Sequence, residues 1–371
     1  MKKILGLLLA LCLIAGCTSA FAAGIPVEQV KIGYITIGDE NEGYSANHLN
    51  GLKEAQAALG ISDDQVLCKY NVPETEDAYE AAIDLAEQGC NIIFATSFGH
   101  ESYVFQAAAE YPNIQFCQAT GNSAMNSELT NVHNYFYAVY ESRYVSGVVA
   151  GMKLAQMIED GTITAENAKI GYVGAFPFAE VISGFTSFFL GARSQCPSVT
   201  MEVRYTNSWA DMALEKETAE ALIADGCVLI SQHADTTGAP SACEAAGVPC
   251  VGYNISMLPV APNTALTSAA GDWGAYVTYA VKCLIDGEEI DRDWCKGYAE
   301  GAVYTTELND SIVAPGTAEK VAELEEAFKA GTVKVFDTST FTVNGETLTS
   351  YTTAYGLDGI EMVSDGEFHE S

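Results

Sequence analysis

Asp225-Gly226-Cys227-Val228-Leu229-Ile230-Ser231-Gln232-His233-Ala234-Asp235 decides the fold. A glycine stops a helix, a short apolar run follows, and polar side chains arrive where that strand emerges. The same arrangement stands earlier, at Gln88-Gly89-Cys90-Asn91-Ile92-Ile93-Phe94-Ala95-Thr96-Ser97-Phe98, with Gly89 137 positions ahead of Gly226. Lys31-Ile32-Gly33-Tyr34 returns as Lys169-Ile170-Gly171-Tyr172, and Tyr111-Pro112-Asn113-Ile114 answers Val248-Pro249-Cys250-Val251 at almost the same spacing. Three matches in one order predict two equivalent halves. A period this long marks duplicated domains rather than a solenoid.

Within each half, short apolar strands alternate with amphipathic helices. In the first, a strand over 30–37 leads through a polar, glycine-bearing loop into a helix whose inner face carries Leu49, Leu52, Gln56 and Leu59. A strand near 66–70, a helix over about 75–88 and the apolar strand at 92–96 follow. The second half replays this, with helices over 141–158, 180–195 and 214–224 and a strand over 201–206. Such alternation implies right-handed βαβ units, hence an α/β fold of two doubly wound parallel-sheet lobes with ligands at the carboxyl ends of the strands. The loops at those ends carry Tyr44, Phe98, Thr120, Phe176, Trp209, Gln232, Asp235 and Asn254.

After Asn254 a further strand and helix remain. The helix is opened by Asp272, and Trp273, Tyr276, Val277, Ala280, Val281 and Leu284 line one face before Gly287 stops it. Returning this unit to the first lobe produces several hinge crossovers. The expected division is 1–16 as a signal peptide, 28–138 with 256–295 as lobe 1, and 139–255 with 296–360 as lobe 2.

The chain opens with Met1-Lys2-Lys3, an apolar run from Ile4 to Ala15, and Gly16-Cys17. A basic start with an apolar stretch too short to be a stable span is an export signal. Small residues before Cys17 point to lipidation of that cysteine, while Ala20-Phe21-Ala22 offers ordinary cleavage before Ala23. The expectation is a domain on the extracytoplasmic face, tethered to the cell membrane by lipid. A net charge of -32 with 17 Lys+Arg excludes nucleic acid, whose phosphates need clustered cations, and disfavours anionic ligands. The eleven cysteines contain no CxxC pair, so zinc and thioredoxin-type readings lack their spacing. Cys90, Cys227 and Cys250 sit in apolar strands as small core residues.

Tyr44-Ser45-Ala46-Asn47, Glu141-Ser142-Arg143-Tyr144-Val145-Ser146-Gly147, and Trp209-Ala210-Asp211 followed by Glu217-Thr218-Ala219 and Gly226 carry a family likeness over roughly residues 28 to 310. The chain resembles the basic membrane protein family, substrate-binding lipoproteins of ABC transporters that include purine nucleoside receptors. Gln232-His233-Ala234-Asp235 and Asp272-Trp273-Gly274 look more like a branch implicated with free purine bases. The resemblance implies a type I periplasmic-binding-protein fold, a purine base or nucleoside as ligand, an ABC permease as partner and no cofactor. Nucleoside-binding members carry an aspartate at the end of the fourth strand and another before the crossing. Here Gln118-Ala119-Thr120 and Asn254 stand at those places, which weighs against a ribose more than against a base.

The cleft loops suit a flat heteroaromatic ligand on their own chemistry. A purine offers two faces for aromatic rings and an edge of donors and acceptors for amides and a carboxylate. Tyr44, Phe98, Phe176, Trp209 and Trp273 are the candidate platforms, with core packing as the ordinary alternative for each. Asn254, Gln232, Asp235 and Asp272 are candidates for the edge, Asp272 having helix capping as its alternative. No GxGxxG follows a strand, and neither a P-loop nor a GxSxG elbow is present. His233 and Asp235 leave a metal-dependent hydrolase as a weak alternative, and a ligand sensor or adhesin on the same domain as another.

Overall fold

Two six-stranded sheets carry the same strand order. In the computed structural model, which describes residues 24–342 and 345–347, the first half runs β1 (Ile32–Ile35), α1 (Gly43–Leu59), β2 (Val66–Lys69), α2 (Glu76–Glu87), β3 (Ile92–Ala95), α3 (Glu101–Glu110), β4 (Gln115–Ala119) and β5 (Val132–Tyr137). The second runs α4 (Val139–Glu159), β6 (Lys169–Gly174), α5 (Ala179–Gln195), β7 (Thr200–Tyr205), α6 (Met212–Ala224), β8 (Leu229–His233), α7 (Gly238–Ala246), β9 (Cys250–Tyr253) and β10 (Ala265–Gly271). The chain closes with α8 (Trp273–Asp286), β11 (Asp293–Lys296), β12 (Val303–Thr305) and α9 (Thr317–Lys329). Cys17, the site before Ala23 and the tail past 347 lie outside the described residues.

The sheet orders are β11-β5-β4-β3-β1-β2 and β12-β10-β9-β8-β6-β7, so each strand of one lobe has a counterpart in the other. The strands are parallel except β12, which runs antiparallel to β10 at its edge. β1, β3, β8 and β9 are buried along their whole length, because helices cover both faces. This is the type I periplasmic-binding-protein architecture expected from the sequence.

One boundary differs from expectation. The strand Ala265–Gly271 belongs to the second sheet, pairing in parallel with β9, and not to lobe 1. The duplication explains it: β10 occupies in lobe 2 the place that β5 occupies in lobe 1. The chain crosses after each of these strands, so α4 packs against α5 in lobe 2 while α8 packs against α1 in lobe 1. The α1–α8 contact is close enough that a Cβ on Gly51 would meet the Gly274 nitrogen at 2.4 Å. Only glycine fits there. The predicted inner face of α8 is buried throughout, and Gly287 ends the helix in the left-handed region.

Among the described cysteines, Cys90, Cys227 and Cys250 lie in the core. No helix among the described residues is long and apolar enough to cross a membrane.

Candidate functional site

The carboxyl ends of both sheets face each other across the interlobe boundary. On the lobe 1 side, Glu42 caps α1 by accepting from the Tyr44 and Ser45 amides at 2.6 and 2.9 Å. Tyr44 is fixed by its hydroxyl, which donates to the Thr96 carbonyl at the end of β3, 2.5 Å away. Behind it, His48 stacks on Trp273 with ring centroids 3.9 Å apart, and Tyr137 lies 4.3 Å from the same indole. Trp273 is 1% exposed. The structure therefore places it in the core and not on the cleft surface. Asp272 caps α8 through the Gly274 amide at 2.7 Å. Gln118 ties β3 and β4 together by donating to the Ser97 and Ala119 carbonyls, and Thr120 sits at φ 59 with its hydroxyl on Ala119. Phe98, on a short turn of helix after β3, is 56% exposed.

Lobe 2 presents a different surface. Phe176 stacks on Phe178 at 5.0 Å, and Trp209 closes the trio at 5.6 and 6.2 Å. Phe178 is 50% exposed and Trp209 36%, so this shelf faces solvent rather than a core. From its edge the Trp209 carbonyl accepts from the Asp235 amide at 2.8 Å. Asp235 in turn accepts from the Asn254 amide, Nδ2 to Oδ1, at 2.8 Å. Asn254 adopts φ 63, a left-handed conformation that asparagine tolerates, and no hydrogen bond among the described residues engages its buried Oδ1. Gln232 uses its Nε2 to hold the carbonyls of Ala234 and Thr236, both at 2.8 Å, while its Oε1 is likewise buried and unengaged.

Beneath this edge lies a charged group. His233 Nε2 meets Glu180 at 2.5 Å and its Nδ1 meets the Tyr172 hydroxyl at 3.3 Å, so both ring nitrogens are occupied. Burial, aided by the nearby Arg143 cation, pushes His233 down to about 4, leaving the imidazole neutral near pH 7. Arg143 donates to the Gln232 carbonyl at 2.6 Å and lies 3.9 Å over the Tyr253 ring. Glu215 accepts from the Thr236 amide. The lobes meet at Gly43: a Cβ there would stand 3.0 Å from the Asp235 carbonyl oxygen. A separate pocket of about 700 Å³ flanks the hinge between α1 and the segment around Tyr304, and of the ten candidates it touches only Asp272.

A stacking shelf joined by one hydrogen bond to a buried amide and carboxyl is the outline of a solute-binding cleft. The family described as ABC transporter substrate-binding protein, PnrA-like, matches residues 35–335. This chain belongs to that family.

Two similar proteins carry different ligand names. A purine-binding protein of Brucella abortus is 33% identical over 311 residues, covering 83% of each chain. An ABC transporter protein of Haloferax volcanii, provisionally named glucose-binding, is 30% identical over 317 residues, covering 85% of this chain and 76% of its own length. Among solved structures, a solute-binding protein of Aeropyrum pernix superposes with a TM-score of 0.68 at 17% identity, covering 89% of this chain and 96% of the other. That likeness concerns the fold alone. The family is one of transporter binding proteins, and neither the sensor or adhesin nor the hydrolase reading finds support in these relatives. Among the described residues no cluster of three or more His, Cys, Asp or Glu is placed to hold a metal.

Sequence reasoning did not single out Glu42, Glu180, Glu215, Arg143, Tyr137 or Tyr253 as parts of the ligand site, and it weighed His233 as a metal ligand. The available signal was charge inside an apolar helix face. Arg143 interrupts the buried run of α4, and Glu215 is buried on α6. A fully buried charge demands partners, and these two lead directly to Gln232, Tyr253 and Thr236.

Proposed function

We propose that this PnrA-like binding protein captures a purine base or nucleoside between its lobes, on the extracytoplasmic face of the cell membrane, held there by a lipid on Cys17, and delivers it to an ABC permease. The observation that carries the reading is the shelf of Phe176, Phe178 and Trp209 beside the Asp235–Asn254 edge. Flat π-faces suit the shelf, and the amide and carboxyl suit the mixed donors and acceptors of a base. The name of the Brucella abortus relative agrees with it. Glu42, Glu180, Glu215 and Asp235 gather around the cleft with Arg143 as their cationic neighbour, an arrangement that favours a neutral ligand over a phosphorylated one.

Native mass spectrometry of protein purified from rich medium, followed by extraction of what it carries, tests the assignment. A co-purifying base or nucleoside is the expected result, and a hexose would replace the purine reading. For the anchor, Cys17→Ser should move the protein from the membrane fraction to the soluble one. Unchanged membrane association would remove the lipid from the proposal.

A further inference from the structure

We propose that Asp235 presents itself to the ligand as a neutral carboxylic acid, its hydroxyl donating a hydrogen bond to an acceptor atom of the bound base. The inference rests on the purine reading for the identity of the acceptor and on the cluster's geometry for the proton. Asp235 Oδ1 accepts from Asn254 at 2.8 Å, and no hydrogen bond among the described residues engages Oδ2. At 9% exposure, the residue keeps only a small opening. The oxygen free to face a ligand is the one able to carry the proton.

The surroundings supply no counter-charge for an anion at this place. Three carboxylates act on Asp235 from three elements: Glu42 at the start of α1, Glu215 on α6 and Glu180 on α5. The phenols of Tyr44 on α1, Tyr137 on β5 and Tyr253 on β9 also stand near it. His233, two residues back at the end of β8, is neutral and engaged with Glu180. Arg143 is turned to the Gln232 carbonyl and the Tyr253 ring. Removing a carboxylate from water among other acidic groups costs far more than protonating it, and a neutral acid in such a pocket is a competent donor. Consistently, burial first and the three acids after it raise this carboxyl well above the usual range. Asp235 and Asn254 then form a donor–acceptor pair, the acid O–H beside the open amide Oδ1.

Two measurements on the whole protein test this. Infrared difference spectra between wild type and Asp235→Asn, without ligand at neutral pH, should show the carbonyl stretch of a protonated acid that is lost in the variant. A carboxylate band in its place overturns the proposal. Affinity for adenine and for hypoxanthine should fall by about tenfold per pH unit once the acid ionises, because the donor is lost. Asp235→Asn keeps an N–H donor there, so it should bind within about threefold of wild type with a flat profile, whereas Asp235→Ala should lose about ten- to a hundredfold. A flat wild-type profile together with weakened binding by Asp235→Asn overturns the donor role. An acid band in a protein that binds no purine at any pH would instead sink the purine reading and leave the proton on Asp235.

Discussion

The two sides of the cleft use aromatic residues in opposite ways. In lobe 1, His48 and Trp273 stack behind a half-buried Tyr44, with Tyr137 tilted against the same indole and Trp273 1% exposed. In lobe 2, Phe176 and Phe178 stack in the open with Trp209 tilted against both, Trp209 being 36% exposed. Both groups stand at strand ends or crossings, and both contain a tryptophan followed by a small residue. The difference is what lies beneath them. Trp273 opens a helix that packs on α1 through a glycine–glycine contact, whereas Trp209 lies in the loop between β7 and the Asp211 cap of α6. Lobe 1 therefore gives the hinge side a packed wall, and the exposed shelf of lobe 2 is the surface proposed to read the solute.

The largest effect that sharpens this contrast is on stability. Trp273→Ala should destabilise by about 3–5 kcal/mol through a large cavity, seen as a lower denaturation midpoint, with near-normal affinity in the protein that remains folded. If Trp273→Ala is stable yet fails to bind, the contrast between the two sides breaks.

Next comes the pH dependence of lobe 2. Burial pushes the Glu215 carboxyl from 4.5 up to about 7, partly offset by its hydrogen bonds to Thr236. The native state thus binds this proton more tightly than the unfolded chain. Its stabilising contribution is full below 4.5 and is lost as pH rises through about 7. The loss amounts to roughly 3 kcal/mol at most. Glu215→Gln should flatten that part of the stability profile, and an unchanged slope would assign the proton elsewhere.

Trp209→Ala follows. Stacking is worth about 1–3 kcal/mol per base, so affinity should fall roughly ten- to a hundredfold while the melting temperature barely moves. A large drop in melting temperature would make Trp209 a core residue like Trp273. The smallest effect expected is for Asn254→Asp, which removes the amide that donates to Asp235. A loss of about tenfold for free bases, with a smaller loss for nucleosides, is predicted. Equal losses for both would detach Asn254 from the base edge.

Much of this architecture is legible in the sequence because it is written twice. The repeated Lys-Ile-Gly-Tyr and Gly-Cys steps fall on β1 and β6 and ahead of β3 and β8, and the duplicated sheets follow from them. The misplacement of Ala265–Gly271 has a physical origin. Its sequence, rich in alanine, serine and threonine, gives no period to match against the aromatic β5, although the two strands are counterparts. The site was less legible. Trp209 and Trp273 look alike as letters, and only burial tells the shelf from the wall. Arg143, Glu180 and Glu215 meet the loops from helices far away in sequence, so their convergence on β8 and β9 needed the fold.

Calorimetric titration of wild type and Trp209→Ala with adenine, guanine, hypoxanthine, their nucleosides and glucose tests the central claim most directly. The account predicts tight wild-type binding of at least one purine, a roughly ten- to hundredfold loss in Trp209→Ala, and no binding of glucose. Glucose binding with no response to any purine, or purine binding untouched by Trp209→Ala, would contradict the claim that the lobe 2 shelf reads a purine.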